Sequence, residues 1–169
     1  DTGNTVDMPV MTHKIHMGSQ LPSVVAGGKY QIIGFNQTVA DYSEVTFPAD
    51  PRNCTSCHEQ GTATQATNVY KGNRAACGAC HDNVNFATGT NHNNLPQTSD
   101  NQCTNCHTPK GELEFDASIE GAHTIPRNSK LLPGVVLQIL EVTDTAPGKR
   151  PTVVFSVKDR AGNPVPAAQ

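Results

Sequence analysis

Hydrophobic patterning along the chain is strong in only a few places. Tyr30 to Phe35 (YQIIGF) and Tyr42 to Phe47 (YSEVTF) are short β-type runs. The residues between them, Asn36 to Asp41, predict a small antiparallel hairpin, ended by Pro48 and Pro51. Ahead of it, residues 1–29 are polar, carry Pro9, Pro22, Gly27 and Gly28, and contain His-Lys-Ile-His at 13–16. Residues 52–125 are rich in Asn, Thr, Gly and Gln and show little helical periodicity. One- to two-turn helices at three short cysteine motifs, with coil elsewhere, are expected there. Thr62 to Asn68 (TATQATN) reads as an exposed loop. From Pro133 the character changes. Val135–Thr145 (VVLQILEVTDT) and Pro151–Asp159 (PTVVFSVKD) read as strands joined by the turn Ala146–Arg150. A second turn, Asp159–Pro164, promises a third strand just before the sequence stops. Two strands alone are marginal. The expected organisation is therefore one domain over 1–133 and, over 134–169, the opening of a β-sandwich or split-barrel domain.

Composition sharpens this picture. Hydrophobic residues are 36% and aromatics 5%, with five Phe, three Tyr and no Trp, which is little with which to fill a core of this size. Something other than side chains is expected to supply part of it. Gly134–Leu137 and Ile139–Leu140 are the longest apolar runs, far too short to span a bilayer. No basic segment with an apolar stretch opens the chain, so Asp1 reads as a mature terminus or the start of a fragment. Net charge is −3, which gives no case for nucleic-acid binding.

The six cysteines form three pairs, Cys54/Cys57, Cys77/Cys80 and Cys103/Cys106, each Cys-x-x-Cys followed at once by His58, His81 or His107. This is the attachment sequence of c-type haem. Two thiols add across two vinyl groups of one porphyrin, and the adjoining imidazole reaches the iron as proximal ligand. With His at 7 of 169 residues, chance places it after all three pairs with a probability on the order of 10⁻⁴. Zinc is the competing reading, since the gap from Cys57 to Cys77 suits a zinc ribbon. It leaves the third pair and the three histidines unexplained. Three covalently bound haem c groups consume every thiol, and the fold class expected is a multihaem cytochrome c, mostly irregular, with short helices and a small hairpin.

Each haem iron has a second axial position. His13, His16, His92 and His123 remain, one more than three irons need. His13 and His16 are i, i+3 and share a face of a helical turn. Met8, Met11 and Met17 lie close by as alternative ligands. If all four histidines bind iron, the fourth belongs to a haem attached outside this chain. An iron held between two imidazoles has no open position for substrate, so its task is to change oxidation state. The three motifs fall within residues 54–107, close enough for electrons to hop from centre to centre. The chain thus reads as a short electron-transfer wire and not as an enzyme. Two alternatives stand beside this reading: a soluble periplasmic trihaem shuttle, and an open-site multihaem reductase with a five-coordinate haem.

The string Met11–Gly18 (MTHKIHMG), YQIIGF, YSEVTFP, RNCTSCH, ACGACHDNVNFATGTNH, QCTNCH and GAHTIP resembles the OmcA/MtrC family of outer-membrane multihaem cytochromes over roughly residues 8–169. The resemblance implies split-barrel β-domains alternating with pentahaem domains in which every iron is bis-histidine. It implies His13, His16, His92 and His123 as distal ligands, and two further haem motifs upstream of Asp1. It also implies a site on the outer, extracellular face of the bacterial outer membrane, with the periplasm as the alternative, and membrane association only through parts of a longer protein. Its implied partners are redox proteins, with metal oxides, metal ions or flavins as electron acceptors.

Overall fold

The computed structural model describes residues 2–58 and 68–166. They divide into two compact units, residues 1–123 and 124–169. The boundary falls ahead of the composition change at Pro133. Arg160 accounts for this, because its backbone N–H donates to the Pro133 carbonyl (2.9 Å) and its guanidinium to the Arg127 carbonyl (2.6 Å).

The first unit opens with α1 (Met8–Met17), which has Pro9 in its first turn, where a missing N–H costs nothing. It stops at Gly18, whose φ of 44° favours glycine. A Cβ there would also collide with the Val45 carbonyl oxygen, and Ser19 N–H bonds to that oxygen at 2.9 Å. After α2 (Pro22–Val25) comes a small hairpin of β1 (Gln31–Ile33) and β2 (Val39–Asp41), antiparallel, with Ile32 opposite Ala40. Its second strand is not the expected Tyr42–Phe47. Asn36 and Gln37 both take positive φ (55° and 61°), and this tight turn brings the chain back early, so pairing is spent by Asp41. The Tyr42–Phe47 run instead folds over, with Val45 N–H bonded to Tyr42 and Ser43 held by Asp41.

Leu21, Tyr30 and Ile32 form the buried cluster, packed by Met11, Ile15, Met17, Val24 and Tyr42. Ala79 and Ile125 are the only other buried apolar side chains among the described residues. For a unit of this length that is a very small side-chain core. The rest is short turns. They comprise α3 (Thr55–His58), α4 (Arg74–Cys80), α5 (Cys103–Cys106) and α6 (Ile119–Ala122), so each cysteine motif sits on a helix of one or two turns, as expected. Asn73 caps α4 by accepting from Ala76 N–H, and Ser118 caps α6 by accepting from Gly121 N–H. The predicted loop at 62–68 lies, except for Asn68, outside the described residues.

In the second unit, β3 (Val136–Thr143) and β4 (Thr152–Lys158) pair antiparallel, with an irregularity between Ile139 and Glu141. Pro164 bridges to Lys158 and Val165 N–H bonds to Val157, so a third extended segment begins beside β4. Leu137, Ile139, Leu140 and Phe155 are all more than half exposed. No helix among the described residues is long and apolar enough to cross a membrane.

Candidate haem centres

Each motif helix ends on its histidine, and each of these histidines faces one of the four spare ones. His58, at the end of α3, lies with its ring nearly parallel to that of His13 of α1, centroids 6.1 Å apart and 6° between planes. His81, closing α4, faces His123, closing α6, at 6.2 Å and 73°. His107, closing α5, faces His92 at 6.2 Å and 34°. Rings in van der Waals stacking sit closer than this. Two imidazoles that bind one metal ion through facing nitrogens have ring centres roughly 6 Å apart, from two metal–nitrogen bonds of about 2 Å each and the half-width of each ring. All three pairs have that spacing.

The spare histidines are also oriented for ligation. Nδ1 of His13 lies 2.6 Å from the Pro9 carbonyl, that of His16 2.7 Å from Thr12, and that of His123 2.7 Å from Ile119, each one helical turn back. His92 uses the Leu95 carbonyl, at 2.8 Å. A carbonyl can only accept, so Nδ1 must donate, and the lone pair is left on Nε2. Such a bond fixes both tautomer and ring direction in a metal ligand.

Local structure explains how the rings arrive. The loop carrying His92 is closed by the Asn85–Thr90 bridge and by Gln97 N–H donating to Phe86 (2.7 Å), with Phe86 edge-on to His92. Helix α6 is tied to the residues just after His107, since Ile119 and Glu120 N–H donate to the Thr108 and Pro109 carbonyls. Gly72 lets the chain pass close to Cys103, for a Cβ there would lie 3.1 Å from the Cys103 Cβ. Arg74 binds Asp100 through its backbone N–H (3.0 Å) and Nε (2.7 Å), joining the second motif to the third. Lys14 and Asp82 join α1 to the second motif.

His16 stands apart. It is exposed, faces none of the three motif histidines, and meets Phe47 edge-on at 4.9 Å. Sharing a face with His13 thus did not give it the same kind of partner. The methionines are otherwise engaged: Met11 and Met17 pack on the buried cluster, and the Met8 sulfur accepts from the Thr12 hydroxyl.

Burial pushes the Cys54 and Cys103 thiols up, and raises Cys80 to about 11, helped by the neighbouring thiols of Cys54 and Cys77. Among the described residues no three metal-binding side chains converge on one point. All six thiols are free of disulfides, as attachment to porphyrin requires. Burial of the His81 ring, together with the nearby His123, lowers its pKa. The residues present therefore fit three haem groups, each held by two thiols and two imidazoles.

Residues 1–124 match the family model described as outer membrane cytochrome MtrC/MtrF-like, domains II/IV. The chain belongs to this family. The match ends where the first compact unit ends, so the unit with the histidine pairs is the MtrC/MtrF-like domain. As an outer-membrane cytochrome it works in electron transfer at the surface of the cell outer membrane. Neither the curated proteins nor the solved structures include a significant match to the chain. Two features of this MtrC/MtrF-like domain escaped sequence reasoning. The pairing of the histidines could not be read, because His81 and His123 are separated by the whole third motif. The Lys14–Asp82 contact had no sequence signal at all.

Proposed function

We propose that the chain carries three haem c groups and passes electrons along them. The first is attached at Cys54 and Cys57 with axial ligands His58 and His13. The second is attached at Cys77 and Cys80 with His81 and His123, and the third at Cys103 and Cys106 with His107 and His92. The observation that carries this reading is the shared spacing of 6.1–6.2 Å in three independent ring pairs. Bound there, each haem supplies a one-electron couple with both axial positions filled. The protein's own part is to hold the imidazoles of His13, His92 and His123 by their Nδ1 bonds, to keep the ligand set unchanged between oxidation states, and to fix the spacing of neighbouring centres through Lys14–Asp82 and Arg74–Asp100.

His16 is proposed as a ligand to a fourth haem, one attached by a polypeptide segment other than residues 1–169. Its Nε2 has the same readiness as the other three, and it is exposed. The electron acceptors proposed are metal oxides, soluble metal ions or flavins outside the cell, reached by outer-sphere transfer, with other redox proteins as donors.

Intact mass and optical spectra of the holoprotein test this. The mass should exceed the polypeptide by three haems, and the spectrum should be low-spin and unchanged by cyanide. His92→Ala and His123→Ala should each turn one haem high-spin, while His16→Ala leaves all three low-spin. A different haem count, or a high-spin haem in the His16 variant, would overturn the assignment.

A further inference from the structure

One ionic contact lies outside the ring pairs yet adjoins two of them. Lys14 follows His13 on α1, and Asp82 follows His81 after α4. Their side chains are 14% and 5% exposed and meet at 2.9 Å. Both Asp82 oxygens are engaged: Oδ1 by the Ser23 backbone N–H (2.9 Å), Oδ2 by the Ser23 hydroxyl (2.5 Å) and by Lys14. The Lys14 ammonium also lies 5.0 Å above the ring of buried Tyr30. An exposed pair would be screened by solvent, whereas an enclosed one acts on its surroundings at much lower effective dielectric. Enclosing charges is costly, and apolar side chains would fasten α1 to this turn as well or better. Charge at this point therefore has a use beyond fastening. Cys80, an attachment residue, lies within electrostatic reach of both members, which act on it with opposite sign.

We propose that Lys14 and Asp82 are positioning residues of the electron route. They lock the helix bearing His13 to the turn bearing His81, and they balance the charge between the first and second centres. The proposal rests on His13 and His81 being axial ligands. A reduced haem carries one positive charge fewer than an oxidised one. Asp82 without its cation therefore favours the oxidised state, and Lys14 without its anion favours the reduced state.

Potentiometric titration of the holoprotein, with the three centres resolved, tests the proposal. Lys14→Gln should lower the potential of at least one centre and Asp82→Asn should raise it. The double variant should return toward the wild type. A fastener alone would give shifts of the same sign in both single variants, because each loosens the same contact. Ser23→Ala keeps both charges but removes one donor from the carboxylate, so it should give a smaller downward shift. That variant decides the matter if the charge variants fail to load haem. Shifts of one sign in the two single variants, no shift in either, or an unchanged or raised potential in Ser23→Ala would overturn the proposal. The ligand assignment is checked separately on the wild type: three low-spin haems with the wrong signs in the variants would sink the ion-pair proposal alone.

Discussion

The two units of this chain solve the same shortage in different ways. Residues 1–123 have few apolar side chains and bury only a handful, yet their short helices are pinned by specific polar contacts around three histidine pairs. Residues 124–169 are rich in Val, Leu and Ile, form a regular hairpin, and leave most of those side chains exposed. Irregular backbone thus goes with a defined chemical site, and regular backbone with a surface that buries little. Secondary structure is a poor guide here to which part is finished. On the proposed reading, a cofactor core would replace the apolar side chains that the first unit lacks, and it would need points of attachment in place of long elements.

Removing an attachment should separate the units most sharply. Cys77→Ser with Cys80→Ser should cost one haem in the intact mass and unfold much of the first unit, while amide exchange in β3 and β4 stays unchanged. Loss of protection in both units together would break the contrast. Next in size is Gly18→Ala. It forces an L side chain into positive φ against the Val45 carbonyl and should cost about 1–3 kcal/mol, read as a lower melting temperature of the first unit. Acid should affect both units. Hydrogen bonds from Ser43 and Gln31 hold Asp41 well below the usual carboxylate range, and Asn163 lowers Asp159 in the same way. Their unfolded forms bind protons near pH 4, so this stabilisation is fully present above that pH and is lost progressively as pH falls from there through the lowered folded-state values. Denaturant melts from about pH 6 down to about pH 2 would show it. The smallest effect is expected from Tyr30→Phe. Among the described residues the buried hydroxyl has no hydrogen-bond partner, so removing it should leave stability within about 1 kcal/mol or raise it slightly.

The sequence disclosed the chemistry better than the architecture. Cys-x-x-Cys-His is a local motif, and its short helix follows from local geometry, so candidate attachment residues and the histidines beside them could be named without a fold. His13 and His16 were legible as a helical pair, but which of them faces a motif histidine depends on α1 packing over Lys14 and Asp82, contacts between residues far apart in sequence. The early return of the first hairpin was hidden for a different reason. Asn36 and Gln37 adopt backbone conformations that composition does not demand, and Tyr42–Phe47 looks extended until the Val45 carbonyl is seen to accept from Ser19 N–H, close against Gly18. The second hairpin was easy to read because alternating β-branched residues and a turn with Pro and Gly are sufficient local signals.

The ring pairs are nested in the sequence, with His92–His107 lying inside His81–His123. The imidazole facing His81 is supplied by His123, beyond the third motif, whereas the one facing His58 comes from His13, before the first. A ribosome delivers these groups one after another, so the middle centre is the last to receive its closing ring. Under the proposed pairing, a chain cut just before His123 would keep all three cysteine motifs and lack one closing ring, so the polypeptide tail of the domain completes the set.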